Sequence, residues 1–433
     1  MSNLPPELQH INPNGPWLPH EADWEGNKKD VFEDDDRLKI FVQPANTGGC
    51  AFYRCWQPFK KLGEKHSDEV QIIYDMNPLR IDAKVGTYGE RSENMDKCDI
   101  FFTHNICNFG GVYTAQCIYQ ARQAGAIVHY DTDDLLTELY DGHRLQSLYK
   151  EKQLDEITKD MYKMAHITSV TQRKFAERIQ EFVGGYLLVI KNAIDFTAPH
   201  WNYPKIHVKK KNFVRVGWVG GIHHEEDVKE FANVALRVNA RIGAENVHWH
   251  FFGRPPLEPG KKASEDWQQS VWDNYTKILA GGIKNYSIHG ALPTATYGQM
   301  YSIIDISIAP LQMNAFNDSK SEIKAIESGI YSAPLIAQDV GCYDEVIKNG
   351  ETGYLIPNGP DSAKIWVKTL IKVIKDRKLR LRMGKNLRKA VEDTYDINNH
   401  VSGRLEVYTG ILEERDRQVV EKELREKESS TKE

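Results

Sequence analysis

Two short stretches hold most of the side chains that could do chemistry. The first is His129-Tyr130-Asp131-Thr132-Asp133-Asp134-Leu135-Leu136, with three aspartates in four positions. Asp131-Thr132-Asp133 is an Asp-x-Asp pattern, whose carboxylates can hold a divalent cation. Asp134 can instead cap a helix beginning at Leu135. The second stretch runs from Asn317 to Glu327. Ser319, Lys320 and Ser321 stand before a predicted helix, where free backbone N–H groups and the helix dipole favour a phosphate. Lys324 adds a second positive charge. Glu327 is a carboxylate that can accept two hydrogen bonds from vicinal hydroxyls.

Glycine turns flank both stretches. Gly48-Gly49 opens "GGCAFYR", with Tyr53 and Arg54 close behind. Gly220-Gly221 follows "VRVGWV" and leads into His223, His224 and three acids. Such turns let a backbone approach a phosphate closely. His223 could donate to that phosphate, or the pair could simply start a helix whose acidic first turn suits the dipole. The histidine spacing is poor for a tetrahedral metal site. Arg254, ending "FFGR", is another phosphate candidate, and His104 ends the run "DIFFTH".

Short apolar runs must position these groups. Leu38–Pro44, Glu69–Asp75, Lys97–Asn105, "AIVHYD", "AHITSVT" and "YLLVIKNAID" read as strands. Helical stretches lie between them, one stopping at Gly125 as a C-terminal cap. After a lysine- and proline-bearing segment, Pro199–Phe213, a second series begins. It comprises "VRVGWVGG", "VHWHFFG", "YSIHGAL", "IDISIAPL" and "PLIAQD" as strands, with "EDVKEFANVALRVNARIG" as one helix. Such alternation predicts an α/β chain of two doubly wound, Rossmann-like parallel sheets, whose carboxyl edges can face across one cleft.

The expected divisions are an N-terminal arm 1–36, a first Rossmann-like domain 37–204, a second Rossmann-like domain 205–395, and a crossing helix with a charged tail 396–433. Trp17, Trp24 and Phe32 suggest that the arm packs on something. The chain length of 433 residues suits two domains of about 200 residues. A net charge of −5 argues against broad nonspecific nucleic-acid binding. Six scattered cysteines without a CxxC pair, no apolar run of roughly 18 residues and no signal pattern point to a reduced, cytoplasmic protein without stable membrane insertion.

Ile304–Pro310, Glu327-Ser328-Gly329, Ala333–Gly341 and Asn349–Pro357, in that order and spacing, resemble retaining glycosyltransferases of the GT-B fold, family 4 type. The likeness is strong in the second half, looser in the first, and absent from the first 36 residues. It implies that Glu327 binds the donor ribose. The family's second glutamate, eight residues earlier, is here Ser319, which puts the donor-sugar contact in question. Ser319, Lys320 and Ser321 are then expected to hold the diphosphate, and Lys324, Gly220, Gly221, His223 and Arg254 to assist. Gly48 and Gly49 fall at the family's first glycine-rich loop, with Tyr53, Arg54, Asp131 and Asp134 on the acceptor side. His104 falls where the family often has a cleft histidine. The family commonly has a His-Asp pair at Asp133-Asp134, so Asp133 takes the histidine's place as the expected catalytic carboxylate.

The implied activity moves a hexose or pentose from a nucleotide sugar, a UDP-sugar first among them, to an acceptor hydroxyl. Configuration is retained, and no metal or further cofactor is needed. The metal-binding Asp-x-Asp belongs to a different, single-domain glycosyltransferase fold. The acceptor could be a glycan, a small molecule, a protein or a hydroxylated DNA base. DNA modification would call for a basic surface, to which Lys205, Lys209, Lys210, Lys211, Lys261 and Lys262 could contribute. The alternatives are a noncatalytic sugar- or nucleotide-binding protein of this fold, or a nucleotide-sugar epimerase.

Overall fold

A computed structural model describes residues 31–82, 87–107, 110–205, 213–257, 262 and 266–430. Trp17, Trp24, Lys209, Lys210, Lys211 and Lys261 lie outside these residues. Two six-stranded parallel sheets organise the chain. The first comprises β1 (Leu38–Gln43), β2 (Val70–Tyr74), β5 (Ile100–His104), β6 (Ile127–Thr132), β7 (Ile167–Val170) and β8 (Tyr186–Val189), in the order β2-β1-β5-β6-β7-β8. A small antiparallel hairpin, β3 (Leu79–Asp82) and β4 (Thr87–Arg91), stands apart from it.

The second sheet comprises β9 (Val214–Val219), β10 (Val247–Arg254), β11 (Tyr286–Gly290), β12 (Ile306–Ala309), β13 (Leu335–Gln338) and β14 (Gly353–Ile356). Its order is β11-β10-β9-β12-β13-β14. Both sheets reverse direction of growth beside their first strand, between β1 and β5 and between β9 and β12. Ligands of doubly wound sheets bind at such switch points, outside the strands' carboxyl ends.

Side-chain alternation explains why the central strands carry apolar residues on both faces. Phe41 of β1 enters one core with Phe101 and Val128, while Ile40 and Val42 enter the opposite core with Phe52, Phe59 and Phe102. A sheet covered on both faces has no polar side to alternate with. The arm's Phe32 joins the first of these cores and packs edge-on against Phe41.

Several local expectations change. The single helix expected over "EDVKEFANVALRVNARIG" is two, Glu225–Lys229 and Val234–Ile242, because Asn233 adopts a left-handed conformation at φ 59°. No helix starts at Leu135: the chain turns there, and the next helix is Gln146–Glu151. Asp134 is therefore not a helix cap. The helix Trp267–Ala280, absent from the reading of the sequence, covers one face of the second sheet.

The chain crosses between domains twice. Ile194 on the outward crossing hydrogen-bonds with Tyr395 and Ile397 on the return, at 2.9 and 3.0 Å. The helix Val401–Ser430 then lies back on the first domain, where the Tyr408 hydroxyl meets His129 Nδ1 at 2.8 Å. No helix among the described residues is long and apolar enough to cross a membrane.

Candidate active site

The first-domain wall grows from the ends of β1, β5 and β6. After β1 the helical segment starts at Gly49, directly behind Gly48, whose N–H donates to Asn46 Oδ1 at 2.7 Å. A π-helical turn, Phe52–Trp56, interrupts the α-helix. Such turns are rare and widen the helix locally. This one sends Tyr53 into the cleft and Arg54 beneath it. Arg54 and Asp131 form a bidentate pair at 2.8 and 2.5 Å, 1% and 0% exposed. Arg54 also donates to Ile190 O and Asn192 Oδ1. Ser169 donates to Asp131 as well.

Asp133 lies above this pair, at the cleft surface. Asn105 follows β5 in a left-handed turn, φ 51°, that aims its amide at Asp133 Oδ1, 2.7 Å away. His104 Nε2 is 3.3 Å from the same oxygen. Burial works to raise the Asp133 carboxyl, but the hydrogen bond and charge of His104 outweigh it and hold Asp133 well below the usual carboxylate range. Asp134 moves the other way, raised by burial and by the Asp133 charge. The three aspartates thus have three separate environments.

The second-domain wall is the helix Ile323–Ile330 and the loop before it. Glu327 is buried and accepts hydrogen bonds from Tyr53 at 2.8 Å and Tyr301 at 2.6 Å. Burial raises its carboxyl above the usual range, against the pull of Lys324. Burial lowers the Lys324 ammonium, which donates to Val219 O at 2.5 Å. The Lys320 ammonium lies 4.7 Å over the Phe316 ring. His224 Nδ1 sits 2.7 Å from Asp227, and burial with Lys320 nearby pushes its imidazole down to about 4.

Between the walls lies a cavity of about 240 Å³. That is somewhat below the roughly 300–1,000 Å³ of most ligand pockets. Direct contacts also bridge the two walls. Besides Tyr53–Glu327, Asn192 donates to Ser321 Oγ at 2.9 Å. Arg144 pairs with Glu225 at 2.5 Å, Lys174 with Asp318 at 2.9 Å, and Lys191 with Glu345. His143 stacks on His223 at 6.0 Å.

Of the residues singled out in the sequence, Gly49, Tyr53, Asp133, Asp134, Lys320, Ser321, Lys324 and Glu327 line this one cavity. His104 stands behind Asp133. Arg54 and Asp131 serve each other below the cleft floor. The Ser319 hydroxyl donates to Ala315 O and is fully buried. Arg254 binds Gln269 and Asp273 on the helix Trp267–Ala280. Gly220 closes the end of β9, where its N–H bonds Phe252 O and an added Cβ would strike the Trp218 ring at 2.4 Å. Gly221 is exposed beside it. His223 is taken up by the stack on His143, and His224 lines the cavity instead.

Sequence reading missed Asn105, Asn192, Cys50, Tyr297 and Tyr301. Asn105 had a signal, an asparagine directly after a strand, a type that tolerates the left-handed turn. Lys205, offered for a basic surface, turns inward to Tyr331 O at 2.9 Å, and burial pushes it down to about 8.

Residues 201–390 match the family model described as glycosyl transferases group 1. Solved structures extend the likeness to both domains. Sucrose-phosphate synthase from Thermosynechococcus elongatus aligns with a TM-score of 0.63 at 14% identity, covering 87% of this chain and 99% of that one. Anabaena HepE, solved with UDP and glucose, aligns at 0.56 and 14%, covering 86% and 100%. A glycosyltransferase from Rickettsia africae aligns at 0.54 and 14%, covering 87% and 99%. At these identities the likeness is one of fold. No curated protein matches the chain. The two domains share the GT-B fold of these structures, and the group 1 match lies in the second of them. Asp133 and Glu327 line one cavity from its two sides.

Proposed function

We propose that the chain transfers a sugar from a nucleotide sugar, a UDP-sugar, to an acceptor hydroxyl, with retention and without a metal. The observation that carries this reading is the convergence of Lys320, Lys324 and Glu327 on one side of a cavity with Asp133 on the other. Glu327 holds the ribose hydroxyls once its tyrosine partners yield. Lys320 and Lys324, with Ser321, neutralise the diphosphate. The bond from anomeric carbon to phosphate oxygen breaks, and the acceptor oxygen bonds the same face. The acceptor proton passes to the leaving phosphate. Asp133, fixed by His104 and Asn105, orients the acceptor hydroxyl and faces the positive charge developing on the sugar. The acceptor is a glycan, a small molecule or a hydroxylated DNA base.

The test incubates the purified chain with UDP-, GDP- and ADP-sugars and each acceptor class, with and without EDTA, and follows nucleotide release. Release with a UDP-sugar that EDTA leaves unchanged is the expected result, with an anomeric configuration by NMR that matches the donor's. No turnover with any donor would overturn sugar transfer. Loss in EDTA would overturn the metal-free step.

A further inference from the structure

A second cavity, of about 440 Å³, lies where the two interdomain crossings meet. Its walls are Leu188–Lys191 at the end of β8, Pro58 on the helix Gln57–Lys65, Ile397, and the first turns of the helix Val401–Ser430. Tyr53 separates it from the cleft, lining both. The walls are mostly apolar, and no carboxylate is among them.

Arg404 projects into this setting. It is 9% exposed, with its guanidinium 4.8 Å over the Phe59 ring and 5.6 Å over Phe102. The Tyr408 hydroxyl bonds its guanidinium, but among the described residues no carboxylate lies within ion-pair distance of it, and its Nη1 has no hydrogen-bond partner. Lys191, also lining the cavity, is matched by Glu345. His129 is held neutral, pushed down to about 3 by burial and by Arg404 beside it. A buried guanidinium without a counter-charge is costly, and orphaned buried donors call for a partner.

We infer that this cavity binds an amphipathic anion, with an apolar body against Pro58, Leu188 and Val407 and a carboxylate or phosphate head on Arg404. The guanidinium fork matches an oxyanion head. The N-terminus of a 30-residue helix forms part of the wall and adds a favourable field. A neutral apolar ligand would leave Arg404 unmatched. A bare inorganic anion would leave the apolar walls wet. The volume falls within the usual ligand-pocket range. The inference is independent of the donor-site reading.

Isothermal titration calorimetry on the full chain tests it with four probes: octanoate, octyl phosphate, 1-octanol and inorganic phosphate. At least one octyl anion should bind tenfold or more tightly than both octanol and inorganic phosphate, and the tighter of the two identifies the head. Arg404→Gln should weaken that anion at least tenfold and leave octanol unchanged. Gly403 lines the cavity, and an added Cβ there meets nothing within 4 Å. Gly403→Leu should therefore fill the space, keep the fold and also lose the anion. Octanol binding as well as both octyl anions, no binding by any probe, or wild-type affinity in R404Q would overturn the site. Should R404Q fail to fold, undiminished anion binding by G403L would overturn it.

Discussion

The two walls of the cleft are built on opposite plans. The first-domain wall is tied into the protein from below: Arg54 spends its donors on Asp131, Ile190 and Asn192, and Asp133 is held by Asn105 and His104. The second-domain wall carries charges whose present partners are replaceable. Lys324 rests on a backbone carbonyl, Lys320 on an aromatic ring, and Glu327 on two tyrosine hydroxyls. A rigid wall suits a carboxylate that must be aimed. An exchangeable one suits binding a large polyanion that is later released. This is preorganisation on one side and ligand exchange on the other.

The sharpest break of that contrast is Arg54→Met, which leaves Asp131 charged and buried with the Ser169 hydroxyl but no counter-charge. Loss of one partner of a buried pair costs about 3–5 kcal/mol, to be read from the urea midpoint. A midpoint near wild type would show that the pair is not the foundation of the wall. Asp133→Asn is the complementary substitution. It keeps the Asn105 contact feasible and should spare stability while lowering kcat about 100- to 1,000-fold, the scale of losing one preorganised electrostatic group. Unchanged kcat would remove Asp133 from the reaction.

On the second wall the effects should be smaller and appear in donor binding. Lys320→Ala removes the cation proposed to face the diphosphate and should raise the donor KM about tenfold, equal to about 1.4 kcal/mol, with little change in unfolding midpoint. Tyr53→Phe works in the opposite direction. Tyr53 occupies Glu327 Oε1, where the proposed ribose hydroxyl would bind. Without that hydroxyl the donor no longer competes with a protein group, so KM should fall severalfold. A KM that rises instead would mean that Tyr53 helps hold the donor.

The difference between the walls also explains what the sequence could reveal. The strands were legible because both faces of each sheet are covered, which leaves near-continuous Ile, Val and Phe runs such as Ile100-Phe101-Phe102. Second-wall residues were legible because Lys320, Ser321, Lys324 and Glu327 lie within eight positions on and before one helix. The first wall was legible only at its surface, in Gly49, Tyr53, Asp133 and Asp134, and not in the support beneath. Arg54 and Asp131 are 77 positions apart, and nothing local distinguishes a buried ion pair from two cleft residues. Ser319 looked like a diphosphate contact by spacing alone, yet the short turn Ala315–Asp318 closes on its hydroxyl. The break at Asn233 escaped for a similar reason, since the apolar periodicity on either side reads through it.

The smallest expected effect concerns how the walls come together. His143 of the first domain and His223 of the second stack face to face, and both imidazoles are lowered: His143 to about 4 by burial and by the His223 and Lys320 charges, His223 by burial and by Lys320 and Arg144. In the parted cleft they regain solvent and titrate near the ordinary histidine value of about 6.5. The open form therefore binds more protons between those values, and closure is favoured above about pH 6.5 and progressively lost toward about pH 4. Small-angle scattering should show a radius of gyration that grows as pH falls through this window. His223→Gln, which cannot be protonated, should flatten part of that change while Arg144–Glu225 and Lys174–Asp318 still hold the walls together. If the variant opens with the same pH profile as wild type, the stack is a bystander and closure rests on the ion pairs and the Tyr53 contact.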